Sequence, residues 1–236
     1  MAGAAFVLAL QADFTNLYRQ AYEERLHADH PKTAESAADL ALYLVNRGSF
    51  TEAAPFLPQV LAAKNPDPAA LHNWAVALED QSPALAERLY RRALALRVST
   101  LPPADPELAT TRLNLGALLL SSSPRESETL ARAALAAFER SLGATHARTG
   151  AACGTLATAL ATQGDVPGAE RLFRRALTIA GKAHGPNSRE TAAALENLAD
   201  LLEQTGRESA ALPLRQRAQR ILAVNPDPVV GKPQQR

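Results

Sequence analysis

Residues 84–96 read ALAERLYRRALAL, and residues 168–180 read GAERLFRRALTIA. Two further segments align with them: RESETLARAALAAF from Arg125 and AALPLRQRAQRIL from Ala210. The alignment puts Ala93, Ala134, Ala176 and Ala218 in one column, at steps of 41, 42 and 42 residues. A fainter copy, EAAPFLPQVLA from Glu52, places Val60 in that column, 33 residues before Ala93. Self-similarity at a fixed step is the mark of an array built from one structural unit.

A second family of segments lies between these: ESAADLALYL from Glu35, AALHNWAVAL from Ala69, TTRLNLGALL from Thr110, AACGTLATAL from Ala151 and AALENLADLL from Ala193. Its central column holds Asp39, Asn73, Asn114, Thr155 and Asn197. A large apolar residue and then a small one follow each time: Leu40-Ala41, Trp74-Ala75, Leu115-Gly116, Leu156-Ala157 and Leu198-Ala199. Both families carry helical periodicity. Leu195, Leu198, Leu201 and Leu202 share one face, as do Leu172, Phe173, Ala176 and Leu177. The joints between them are short and rich in helix breakers, such as Gln81-Ser82-Pro83, Gln163-Gly164-Asp165 and Thr205-Gly206-Arg207. Glycine there suits the left-handed conformation that ends a helix, and Asp or Ser can cap the next.

Each unit is therefore helix A, tight turn, helix B, with antiparallel neighbours. The small residue on helix A and the alanine of helix B let helices approach closely. One hairpin cannot bury its apolar face alone, so hairpins stack. Composition agrees: hydrophobic residues make up 47% and aromatics only 5%. Ala and Leu, the strong helix formers, dominate that apolar fraction. The fold class expected is all-α, a right-handed α-solenoid of stacked helix hairpins.

The order large-x-Asn-Leu-Ala/Gly, then Gly, then Ala, aromatic and Ala-Leu resembles the tetratricopeptide repeat. The period near 42 is similar to kinesin-light-chain-type repeats. So are the linkers His30-Pro31-Lys32-Thr33-Ala34, Asp105-Pro106-Glu107-Leu108-Ala109 and Gly185-Pro186-Asn187-Ser188. The resemblance covers about residues 13 to 224. It places five repeats within 31–224, at about 32–64, 68–98, 106–142, 146–183 and 187–224. Residues 13–30 read as an N-terminal capping helix and 225–236 as a disordered tail. Residues 1–12, MAGAAFVLALQA, read as a signal remnant or a disordered N-terminus. Pro55 and Pro58 should bend or shorten the second helix of the first repeat.

The resemblance implies a scaffold that binds an extended peptide or partner protein on its concave face. That face is lined by the A helices, and an Asn in the central column grips the peptide backbone. The candidate binding residues are Asp39, Asn73, Asn114, Thr155 and Asn197, with neighbouring slots His72, Asp80, Glu196 and Asp200. Val76, Leu113, Ala117, Ser121, Thr158 and Gln204 fall in further slots of that face. An amide carries both a donor and an acceptor, so it can hold peptide groups without reading side chains. The slots are neutral to acidic, which suits a ligand with apolar or basic side chains rather than an acidic one. The alternative reading is a structural spacer or self-associating assembly component without a peptide ligand.

Other chemistry finds little footing. The histidines, His27, His30, His72, His146 and His184, do not form a metal-ligand pattern. No phosphate loop, nucleophile elbow or carboxylate pair stands out, so no enzyme, cofactor or metal is expected. Cys153 falls in a core slot, and one cysteine cannot form an internal disulfide. Net charge is +1, which does not favour nucleic acid. No apolar run reaches the length of a membrane span. Arginines recur on helix B at 88, 91 and 92, at 171, 174 and 175, and at 215, 217 and 220. They read as a solvated outer face paired with residues such as Glu87 and Glu170, in preference to a basic ridge for an acidic partner. These features suit the cytoplasm; a signal segment in residues 1–12 would place the protein in the periplasm or outside the cell.

Overall fold

The computed structural model describes residues 40, 41, 43, 44, 50–62 and 66–224. They divide into two compact units, the first up to Thr100 and the second from Leu101. Every regular element among the described residues is helical. The expectations for residues 1–39 and 225–236, Asp39 among them, lie outside the described residues.

In the first unit, residues 50–62 form a broken helix. α1 spans Phe50–Ala53 and α2 spans Leu57–Ala62, with a 3-10 turn at Ala54–Phe56 between them. Pro55 sits in that turn, since a proline ring cannot occupy a helix interior without displacing the carbonyl four residues back. α3 (Pro68–Leu78) and α4 (Pro83–Thr100) then form a hairpin. Asp67 caps α3 through its side chain, and Pro68 fills the first helical position, where a missing N–H costs nothing. Trp74, Leu89 and Tyr90 fill the interior of this hairpin.

The second unit stacks three hairpins in chain order. They are α5 (Pro106–Leu118) with α6 (Pro124–Ser141), α7 (Ala147–Thr162) with α8 (Val166–Ala183), and α9 (Arg189–Gln204) with α10 (Glu208–Val224). Each A helix starts on a side-chain cap: Asp105 on the amides of Glu107 and Leu108, His146 on Arg148, Ser188 on Thr191. Gly143 and Gly185, 42 residues apart, end α6 and α8 with φ of +95° and +98°. Their carbonyls accept from the buried hydroxyls of Thr149 and Thr191, both at 2.8 Å. A one-period shift thus reproduces this hydrogen bond, while the cap beside it changes from His146 to Ser188.

The small-residue columns have their packing role. Ala41, Ala75, Ala157 and Ala199 are fully buried. A Cβ on Gly116 would lie 3.3 Å from the Ser127 carbonyl oxygen on the facing helix. Ala93, Ala134 and Ala218 are equally buried on the B helices. In the second unit, Phe138, Leu156, Phe173 and Leu198 pack in one core with Ala134, Ala157 and Ala199. Each such large side chain contributes about 1.5–3 kcal/mol on leaving water.

Candidate functional site

On the A-helix side of the second unit, α7 and α9 flank a pocket of about 380 Å³. Its α7 wall is made of small residues, Ala147, Gly150, Ala151 and Gly154, followed by Thr155 and Thr158. The α9 wall carries Glu190, Ala193, Ala194 and Asn197. Phe173, Ala176 and Ala180 of α8 form the floor, and His184 stands at one end. A second pocket of about 210 Å³ shares Thr158, Phe173 and Asn197 and adds Thr162, Asp200 and Gln204. The two make one groove. From Glu190 to Gln204 the helical rise gives it a length of about 20 Å, room for roughly six residues of extended chain.

Thr155 and Asn197 are the polar groups at the middle of this groove. Neither makes a hydrogen bond among the described residues, whereas Thr158 and Thr162 each bond back to a carbonyl of their own helix. Asp200 is already engaged, since Arg215 donates to it at 2.6 Å and to Glu203 at 2.6 and 2.9 Å. Those bonds lower the Glu203 carboxyl and raise the Arg215 guanidinium. At the other end, a hydrogen bond from its own backbone amide holds the Glu190 carboxyl below the usual range, with help from the charge of His184. The groove therefore offers apolar walls, the open side chains of Thr155 and Asn197 at its middle and the ionised Glu190 carboxylate at one end.

The remaining sequence-derived positions distribute unevenly. Asn114 is half-buried on α5 and lines neither pocket, and Asn73 is exposed on α3 of the first unit. Asp80, exposed, lies just past the end of α3. Val76, Ala117 and Ser121 are also exposed. His72 departs from its expected open slot. It is 8% exposed and packs edge-on to Tyr90, with ring centroids 5.3 Å apart. Leu113 is likewise buried, within the core. Glu196 lines neither pocket. These three precede the central column by one residue, which is 100° round a helix and enough to turn a side chain out of a shared groove. The sequence reading missed the small-residue wall of α7 and the pair His184 and Glu190. Ala147, Gly150, Ala151 and Gly154, spaced at three and four residues, are the legible trace of that wall.

The helix-B arginines are mostly spoken for. Arg91 pairs with Glu87 at 2.8 Å, Arg174 with Glu170 at 2.6 Å and Arg175 with Glu139 at 2.6 Å. Among the described residues no three His, Cys, Asp or Glu side chains converge to hold a metal, and no helix is long and apolar enough to cross a membrane.

Tetratricopeptide repeat models match residues 33–64 and 151–223. The chain carries tetratricopeptide repeats in these stretches. A search of curated proteins found no match. Among solved structures, BtubC (BKLC) from P. vanneervenii is similar at 20% identity and TM-score 0.64, over 96% of each chain. A putative kinesin light chain with nearly identical TPR-like repeats from Podosopora anserina is similar at 23% identity and TM-score 0.62, over 84% of this chain and 99% of that one. MamA from Desulfovibrio magneticus RS-1 follows at 16% identity and TM-score 0.59, over 82% and 97%. At these identities the likeness is one of fold. Tetratricopeptide repeats serve in general as non-catalytic scaffolds for protein partners, and this repeat protein is a protein-interaction scaffold in that general sense.

Proposed function

We propose that the protein holds an extended peptide of a partner in the groove between α7 and α9. Thr155 and Asn197 bond the peptide backbone, and the small residues of α7 receive its apolar side chains. The observation that carries this reading is the open hydroxyl and amide facing one pocket. Polar groups on a groove wall gain most when a ligand supplies their partners. Glu190 at the end of the groove favours a basic side chain there.

The test begins with peptides selected from a random library on the intact protein. Gly154 lies on the groove wall, and a Cβ built there meets nothing within 4 Å. Gly154→Trp therefore starts its side chain in open space and puts an indole into the groove. Selected peptides should lose at least about tenfold in affinity on Gly154→Trp and on Asn197→Ala, each tenfold being about 1.4 kcal/mol. Peptides that bind both variants as tightly as the parent protein would rule the groove out.

A further inference from the structure

The two copies of one arginine differ in what they hold. Arg175 on α8 reaches back one hairpin, where its guanidinium meets the Glu139 carboxylate at 2.6 Å and the Ala144 carbonyl at 3.5 Å. One period later, Arg217 on α10 keeps half of this arrangement. It donates at 3.0 Å to the carbonyl of Pro186, the equivalent of Ala144. The residue equivalent to Glu139 is Gly181, so the carboxylate is gone. A Cβ at Gly181 would meet nothing within 4 Å, and the space is open. A second arginine, Arg220, stands one turn along α10 where the earlier repeat has Thr178. Arg217 and Arg220 with Asn187, Ile221 and Val224 line a pocket of about 380 Å³. Arg220 makes no ion pair among the described residues, and Val224 is 80% exposed beside it.

We propose that this pocket is a second binding site, which takes a carboxylate side chain of a partner protein flanked by an aliphatic residue. The carboxylate takes the place that Glu139 fills against Arg175, and the Arg217 guanidinium donates to it while keeping its bond to the Pro186 carbonyl. The aliphatic neighbour covers Ile221 and Val224. This site lies on the last B helix, away from the α7–α9 groove, and its ligand chemistry is the opposite of that groove's. It stands independently of the peptide reading given above.

The probe is the peptide acetyl-Gly-Glu-Leu-Gly-amide, titrated into the full chain while the side-chain N–H resonances of Arg217 and Arg220 are followed by NMR. Saturable shifts at both arginines, weakening as salt rises, are expected. Gly181→Glu supplies the missing carboxylate within the chain and should weaken the peptide at least about tenfold, as should Arg217→Gln, the loss of one charge-assisted pair. Gly181→Gln, with the same bulk and no charge, should retain binding. Absence of saturable shifts, equal binding by Gly181→Glu, or equal shifts with inorganic phosphate at the same concentration would each overturn the assignment.

Discussion

Arg207, in the turn between α9 and α10, donates at 2.8 Å to Glu170 on the helix of the preceding hairpin. Glu170 also accepts from Arg174, one turn along its own helix, at 2.6 Å. One period earlier Glu128 does the same work, accepting from Arg132 at 2.8 Å and from Gln163 in the next turn at 2.9 Å. A carboxylate on α6 and another on α8 thus latch the turn of the following hairpin.

Hydrogen bonds from Arg174 and Arg207 hold the Glu170 carboxyl below its usual range. A carboxyl depressed in the folded state stabilises the protein above its unfolded pKa and loses that contribution as pH falls through the folded value. Glu170→Gln should cost about 0.5–1 kcal/mol at pH 7, a modest figure because the arginines are solvent-exposed. The gap between variant and parent should close as pH drops through and below the ordinary carboxyl range. Urea melts of both proteins across that range measure it; a gap that persists in acid contradicts the latch.

Ser127 occupies an alanine slot. It aligns with Ala86 and Ala169, is fully buried, and its hydroxyl has no hydrogen-bond partner. A buried hydroxyl without a partner carries a desolvation cost of about 1–3 kcal/mol. Ser127→Ala should stabilise the protein by about 1 kcal/mol and raise Tm by about 2–4 °C. Calorimetry showing an unchanged or lowered Tm would remove this reading.

Gly150 and Gly154 lie one turn apart on α7 and should respond to alanine with opposite signs. A Cβ at Gly150 would come within 2.9 Å of Ile179 Cγ2 on α8, a branched core side chain with little freedom to yield. Gly150→Ala should destabilise by about 1–3 kcal/mol despite its better helix propensity. Gly154→Ala meets open space and should stabilise by about 0.5–1 kcal/mol. Paired chemical melts decide it, and like signs would show that α7 and α8 are less closely packed than described.

Cys153 is fully buried in α7, and desolvation raises its thiol above the ordinary range. The thiolate is the reactive form. Modification by a maleimide at neutral pH should therefore be slow in the native protein and fast in denaturant. Rapid native labelling would mean that α7 opens.

The repeat itself is legible in sequence because its packing needs are chemically narrow. Ala134, Ala157 and Ala199 are fully buried between packed helices, and Gly143 and Gly185 sit where φ is positive. Such positions leave a periodic trace. The groove is less legible, because its two walls use different faces of equivalent helices. On α7 the residue before the central column, Gly154, lines it, while on α9 the equivalent Glu196 does not. One alignment column cannot express that asymmetry. His72 misleads for the same reason. It neighbours Asn73 in the chain, yet its ring is buried against Tyr90.

The groove between α7 and α9 is most directly tested by placing a photoreactive benzophenone amino acid at Asn197, at Thr158 and, on the exposed outer face of α8, at Arg171. Irradiation with a library-selected peptide, followed by mass spectrometry, reads which positions touch it. Cross-links from Asn197 and Thr158 and none from Arg171 are predicted. Cross-links confined to Arg171 would contradict the account.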